Sequence, residues 1–81
     1  MRLSELGRQQ EAIVASVESR MDADSIARRL QDIGFVAGET VKVITCAPWG
    51  GDPLLVQIGT SRFALRKAEA QRVILQAGVQ G

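Results

Sequence analysis

Few residues of this chain could do chemistry, and there is no histidine among them. Histidine is the usual general base near neutral pH and the commonest metal ligand, so other side chains would have to fill both roles. Cys46 is the only cysteine and cannot form an intrachain disulfide. With Asp52 and Glu69, it is one of three remaining candidates for a metal ligand, but soft sites need several Cys or His ligands. We therefore expect no metal site and no cofactor, with divalent-metal binding at most adventitious.

The sequence also lacks the common catalytic motifs. It contains no G-x-x-x-x-G-K-[ST] phosphate loop, no paired-carboxylate motif and no nucleophile motif. We therefore predict that the chain is not an enzyme. Arg62 or Arg66 has the chemistry to act as an arginine finger toward a partner, but their spacing selects neither.

Composition indicates one ordinary globular domain over residues 1–81. The chain is 46% hydrophobic and 23% charged, with a net charge of +1. We expect residues 77–81, rich in Gly and Gln, to form a loose tail. The N-terminus turns polar before an apolar segment can form, and the longest nonpolar runs have six residues, such as 33–38. We therefore expect no signal peptide, no membrane insertion and a cytoplasmic location.

Hydrophobic periodicity predicts a mainly β fold, with about five short strands, a helix between the first two and a short helix before the last. The first strand falls within residues 10–18, where Ile13, Ala15 and Val17 share one side. Strands of this kind around one core favour a small β-barrel. We expect a continuous core of Ile26, Leu30, Ile33, Val43, Val56, Ile58, Phe63 and Leu65. Truncating Phe63 to alanine would then cost about 3–5 kcal/mol.

The helix between the first two strands has the clearest boundary signals. Asp22 is the predicted N-cap, because its carboxylate can accept hydrogen bonds from the first backbone N–H groups. Met21 and Ile26 are spaced to pack together around that cap. Gly34 is the predicted end of the helix, since glycine readily adopts the left-handed conformation, and Phe35 would fold back on the last turn.

Three segments together resemble one family. Residues 29–39 (RLQDIGFVAGE), 47–54 (APWGGDPL) and 64–70 (ALRKAEA) occur in the order and at the spacing of the FeoA family, small cytosolic accessory proteins of bacterial ferrous-iron transport. The resemblance covers roughly residues 3–76. The chain departs from the family at Ala37, where proline is frequent, and at Trp49, which is larger than the residue in many members.

The resemblance implies an SH3-like β-barrel and a partner, the membrane transporter FeoB, which carries a cytosolic GTP-binding domain. The expected function is a non-catalytic accessory or regulatory module of ferrous-iron uptake that docks on the cytosolic part of FeoB. The alternative is an SH3-like domain of a metal-responsive transcriptional regulator. The sequence has neither a helix-turn-helix nor a clustered basic face, so we expect no nucleic-acid partner. The oligomeric state stays open, a homodimer included.

The loop of residues 48–53 is the predicted docking site, with Pro48, Trp49 and Asp52 as contacts and Arg62 or Arg66 in support. Tryptophan is enriched among the residues that dominate interface energy, and a stiff loop loses little entropy on binding. The alternative is that Trp49 packs on the barrel.

Basic and alanine residues near the second helix give two further expectations. Arg66, Lys67 and Arg72 are either a solvated face or the basic half of an interface with an acidic partner. Ala68 and Ala70 are expected to be close-packed.

Overall fold

The computed structural model describes residues 1–48 and 50–76. Trp49 and the predicted tail at 77–81 lie outside this part. The described elements are, in chain order, a 3₁₀ helix (Leu3–Glu5), β1 (Glu11–Val17), α1 (Ser25–Asp32), β2 (Thr40–Cys46), β3 (Leu54–Ile58), β4 (Ser61–Leu65), α2 (Lys67–Ala70) and β5 (Val73–Leu75). This confirms the predicted fold class. In these residues, no helix has the length and apolarity that crossing a bilayer requires.

The five strands form one antiparallel sheet in the order β4-β3-β2-β1-β5. The register shifts between Val14 and Ser16 of β1 and between Val43 and Thr45 of β2. Irregularities of this kind bend a strand and increase its twist. The sheet therefore curls around its core as a small SH3-like barrel, with β4 and β5 at its two edges and α2 connecting them.

A single hydrophobic cluster fills the barrel, and Phe35 is its largest fully buried side chain. Every strand and helix contributes to the cluster, whose buried members are Leu3, Ala12, Val14, Leu30, Phe35, Val41, Val43, Leu54, Val56, Ile58, Leu65, Ala70, Val73 and Leu75.

The predicted core is confirmed at its centre and shifted at its margin. Five of its members are fully in the cluster: Leu30, Val43, Val56, Ile58 and Leu65. Ile26, Ile33 and Phe63 are only partly buried and pack against it. Leu3 and Phe35 were absent from the predicted set and are fully buried.

Strand β1 buries the side opposite to the one that the sequence pattern grouped together. Ala12 and Val14 are buried, whereas Ile13, Ala15 and Val17 are half-buried. Apolar residues occupy both sides of this strand, so alternation alone does not show which side faces the core.

Helix α1 begins two residues later than predicted. The carboxylate of Asp24 caps it, with Oδ1 accepting the N–H of Ile26 at 3.1 Å and of Ala27 at 3.3 Å. The prediction of Asp22 as N-cap is therefore wrong. Met21 now lies too far before the cap to pack against the first turn as predicted, and it is 60% exposed.

The end of α1 is as predicted. Gly34 has a φ of 123°, a backbone angle that residues with a Cβ atom rarely adopt. Its N–H donates to the carbonyl of Gln31 at 3.1 Å, and the N–H of Phe35 donates to the carbonyl of Leu30 at 3.0 Å. These two bonds are a Schellman motif, which satisfies the last carbonyls of the helix. The reversal carries Phe35 into the core.

Candidate docking surface

The loop between β2 and β3 is closed by its own backbone hydrogen bonds. The N–H of Ala47 donates to the carbonyl of Pro53 and the N–H of Gly51 donates to that of Ala47, both at 3.0 Å. Gly50 and Gly51 have φ values of 75° and 72°, a region in which glycine has no steric cost. Pro48, a predicted contact residue, is exposed. The predicted anchor, Trp49, lies outside the described residues.

A hydrogen bond ties this loop to the beginning of α2. The Oδ1 atom of Asp52 accepts the backbone N–H of Lys67 at 3.1 Å. Pairing of Leu54 with Leu65 brings the two segments together, because the loop leads into β3 where β4 ends. Arg66 lies at this junction with its side chain exposed. The structure thus gathers Pro48, Asp52 and Arg66 at one end of the β3–β4 hairpin.

Arg62 lies toward the opposite end of the same hairpin. It pairs with Gln57 across the sheet, and its Nε donates to Gln57 Oε1 at 3.3 Å. It is three residues before Leu65, a distance of about 10 Å along a strand. Of the predicted docking residues that the structure describes, Pro48, Asp52 and Arg66 therefore lie toward one end of the β3–β4 hairpin and Arg62 lies toward the other.

Arg72 is not part of a solvated basic face. It is only 5% exposed, its Nε donates to Oδ2 of Asp24 at 2.9 Å, and its Nη1 donates to the carbonyl of Ala68 at 2.8 Å. Both interpretations of Arg72 as a surface cation are wrong, because the carboxylate and the carbonyl satisfy the guanidinium inside the fold. Arg66 and Lys67 are exposed. Ala70 is buried as expected, but Ala68 is exposed, so its prediction as a close-packed residue is wrong.

Asp24 connects three parts of the chain through one carboxylate. Besides capping α1 and pairing with Arg72, its Oδ2 accepts the N–H of Arg20 at 2.9 Å. The bond from Arg20, followed by that from Arg72, lowers the pKa of Asp24 to about 2. The carboxyl therefore stays ionised near neutral pH, where it braces the β1–α1 connection against the end of α2.

The three candidate metal ligands have other partners or surroundings. Cys46 ends β2 and packs, half-buried, against the core. Asp52 accepts the N–H of Lys67, and Glu69 accepts the N–H of Arg66 at 2.7 Å with its Oε1 atom. Across residues 1–48 and 50–76, no three or more His, Cys, Asp or Glu side chains are grouped to hold a metal ion.

The N-terminal residues make contacts that sequence reasoning missed. Arg2 forms an isolated bridge with Ile74, and the carbonyl of Met1 accepts the N–H of Leu75 at 2.8 Å. The Arg2 guanidinium also contacts Glu18 Oε1 at 2.7 Å. This bond lowers the pKa of Glu18 and raises that of Arg2. The apolar residues Leu3 and Leu6, which pack in and against the core, were the signal in the sequence that this segment packs on the fold.

Comparison with known proteins supports the fold and gives the family. The model of the FeoA domain family matches residues 1–77. A zinc-complexed FeoA of Stenotrophomonas maltophilia, described as a prokaryotic SH3 domain protein, is 52% identical; the match covers 95% of this chain and 91% of that one, with a TM-score of 0.89. The FeoA protein of Chlorobium tepidum is 36% identical over 100% of this chain and 75% of that one, with a TM-score of 0.82.

A curated relative extends the comparison to a much longer protein. It is an Fe(2+) transport protein A/Fe(2+) transporter FeoB fusion protein of Porphyromonas gingivalis, 36% identical over 73 residues. The match covers 90% of this chain, which spans only 8% of the length of that relative. The family model covers nearly all of the chain, and the solved FeoA structures share its fold. The chain therefore belongs to the FeoA domain family.

Proposed function

We propose that this chain is a non-catalytic accessory module of ferrous-iron uptake that docks on the cytosolic part of a FeoB transporter. The observation that carries the proposal is the Porphyromonas gingivalis relative, in which a transport protein A and FeoB are fused. Fusion holds two modules at a high effective concentration, about millimolar for a short flexible linker. This favours modules that work through mutual contact. The partner surface lies in the cytoplasm, and we propose the same location for this chain.

Docking would act by shifting the conformational or nucleotide state of FeoB. A bound module shifts such an equilibrium only by the difference in its affinity for the two states. The hydrogen bonds of the β2–β3 loop fit this role. Two backbone bonds close the loop, and the bond that the Lys67 N–H donates to Asp52 ties it to the segment where Arg66 is exposed. Less conformational entropy is then lost on binding.

We propose that the module has no catalytic activity and no resident metal or other cofactor. The other contacts of Cys46, Asp52 and Glu69, described above, support this. The purified chain should neither hydrolyse GTP nor keep stoichiometric Fe²⁺ through anaerobic titration and desalting under reducing conditions. One iron retained per chain would contradict the proposal and bring Cys46 and the nearby carboxylates forward as ligands.

Calorimetry of the chain with the cytosolic domain of FeoB from the same organism tests the docking. The wild type should bind, and Trp49→Ala should weaken binding by at least about 2 kcal/mol while leaving the Tm nearly unchanged. Met21→Ala is the matched control, because Met21 is an exposed apolar residue outside the loop. Its binding should equal that of the wild type.

Two outcomes would contradict different parts of the proposal. Failure of the wild type to bind would contradict FeoB docking. Normal binding by Trp49→Ala together with a much lower Tm would assign Trp49 to the fold and move the docking surface away from it.

A further inference from the structure

Strand β4 is an edge of the sheet whose outer side has no strand partner within residues 1–48 and 50–76. It pairs with β3 in a regular register from Ile58↔Ser61 to Leu54↔Leu65. Gly59 and Thr60 make the two-residue turn, and Gly59 has a φ of 59°. A positive φ at the first central position is what a type II′ hairpin turn requires. The hairpin is therefore tight and its register is fixed.

This register determines which backbone groups face outward. In a two-residue hairpin the residues flanking the turn form a hydrogen-bonded pair, and such pairs then alternate along the strands. Ser61, Phe63 and Leu65 therefore bond to β3. Arg62 and Ala64 direct their N–H and C=O groups away from it, and both residues are exposed. The edge thus offers the backbone N–H and C=O groups of two residues, spaced as the hydrogen bonds to an added strand require.

Cations flank this edge at both ends. Arg62 lies near its beginning, and Arg66 and Lys67 follow its end; all three are exposed. The ion pairs of the described residues are elsewhere, namely Arg2–Glu18, Arg29–Glu69 and Arg72–Asp24. The carboxylates of Asp52 and Glu69 accept the backbone N–H groups of Lys67 and Arg66 and keep their charge. Glu69 also pairs with Arg29 at 3.7 Å, so the three cations are opposed mainly by Asp52. The edge therefore favours an anionic occupant.

The same charges disfavour a second copy of this chain on the edge. An antiparallel pairing of two β4 strands centred on Ala64 sets Arg62 opposite Arg66 of the other copy. A pairing centred on Arg62 sets that residue opposite itself. A pairing centred on Phe63 sets Arg62 opposite Ala64 and diagonal to the Arg62 of the other copy, within reach of its long side chain. Like charges directly opposite each other destabilise a strand pair, and charged edge residues are a common protection against such association.

We infer that the outer edge of β4 binds an extended acidic segment of the FeoB partner as an added antiparallel strand. The inference rests on the proposed function and adds to the β2–β3 loop a second contact through which docking occurs. Strand addition takes its affinity from main-chain hydrogen bonds and its specificity from the side chains that flank them. Here Arg62 and Ala64 supply the main-chain bonds, while Arg62, Arg66 and Lys67 select for negative charge.

Amide hydrogen exchange, followed by NMR on the full chain with and without the FeoB cytosolic domain, tests the main-chain contact. Binding should slow exchange of the Arg62 and Ala64 amides at least about tenfold. The amides of Phe63 and Leu65 already bond to β3 and should change much less. This alternation is specific to strand addition. A partner that only covers side chains would not slow the exchange of every second amide selectively.

Two variants with a matched control test the same contact by affinity. Ala64→Pro removes one outward N–H at an edge position, where proline is tolerated, and should weaken binding at least about tenfold. Ala37→Pro makes the same replacement at an exposed position outside β4 and should bind like the wild type. Arg62→Glu should also weaken binding. The loss should be larger at low ionic strength, because salt screens the repulsion between the introduced carboxylate and an acidic partner.

The outcomes separate the inference from the proposed function. If FeoB does not bind the wild type, both fail. If FeoB binds but Arg62 and Ala64 exchange as before, the strand addition is wrong and docking on FeoB stands. A Tm of Ala64→Pro close to that of the wild type shows that the strand is intact. If that variant unfolds, Arg62→Glu and the exchange pattern decide, and normal binding by Arg62→Glu would overturn the inference.

Discussion

The two edge strands of this sheet differ in whether other residues pair with their outer backbone groups. At β5, Arg2 bridges Ile74 and the carbonyl of Met1 accepts a backbone bond, while Leu3 is fully buried beside them. At β4, Arg62 and Ala64 are exposed, and no other strand in the described residues pairs with their outer side. The covered edge gains backbone bonds and a buried leucine on its outer side, whereas β4 contributes through its inner side chains, Leu65 above all. Substitutions at the two edges should therefore separate stability from recognition.

The largest effect is expected at the covered edge, from Leu3→Ala. Leu3 is fully buried in the main cluster, and truncating such a leucine costs about 2–5 kcal/mol in the free energy of unfolding. Chemical denaturation measures this loss. Met21→Ala, at a 60% exposed position, should change the free energy by less than about 0.5 kcal/mol. Equal effects of the two variants would contradict the packing of the N-terminal segment.

The next effect is expected from Arg72→Met, near the covered edge. The variant keeps much of the side-chain volume but leaves the buried Asp24 carboxylate without its guanidinium partner. Because removing one member of a buried ion pair leaves the other charge uncompensated, the variant is strongly destabilised. Its Tm should fall by roughly 10 °C or more. Arg66→Met, at an exposed arginine of the same helix region, is the control and should leave the Tm within roughly 3 °C. A small shift for Arg72→Met would mean that the pair is dispensable.

At the open edge, Phe63→Ala should cost less than Leu3→Ala although phenylalanine is larger. Phe63 is only partly buried on β4, so its loss should cost about 1–2 kcal/mol instead of the 3–5 kcal/mol of a fully buried phenylalanine. Denaturation of both variants under the same conditions makes the comparison. If Phe63→Ala is the more destabilising variant, β4 contributes more to stability than its exposure indicates.

The smallest effect is a change in the shape of the acid stability curve. Asp24 has a pKa of about 2 in the folded chain, below its ordinary value of 3.8. Its stabilising contribution is therefore complete well above pH 3.8 and is lost as the pH falls through about 2. The Tm difference between wild type and Asp24→Asn should be constant at pH 5–7 and shrink between about pH 4 and 2. Asp22→Asn, at an exposed carboxylate outside this network, should not show that change, and an unchanged gap for Asp24→Asn at pH 2 would contradict the assignment.

The sequence predicts features that depend on neighbouring residues. Gly34 marks the end of α1 because the Schellman motif needs only residues within one helical turn. Hydrophobic periodicity gave the number of strands, and the alternating residues Leu54, Val56 and Ile58 of β3 are all buried. The resemblance of residues 29–39, 47–54 and 64–70 to one family predicted both the SH3-like fold and the family itself.

Features set by distant contacts were missed or assigned wrongly. Asp22 and Asp24 are both suitable N-caps by sequence, and the partner of Asp24, Arg72, is 48 residues away. The same contact turns Arg72 from an expected surface cation into a buried one. For the candidate site, the sequence named Arg62 or Arg66 as support for the loop without choosing between them, and the pairing register places Arg66 beside the loop and Arg62 farther along β4. Pairing register decides such placements, and periodicity does not contain it.

The contact between the first residue and the last strand also affects when the chain can fold. The carbonyl of Met1 bonds to Leu75, so this edge of the sheet closes only when segments more than seventy residues apart have met. Until then the side chain of Leu3 and the outer side of β5 are exposed. Contacts of such sequence separation slow folding, and we expect closure of the β5 edge to be a late step of folding.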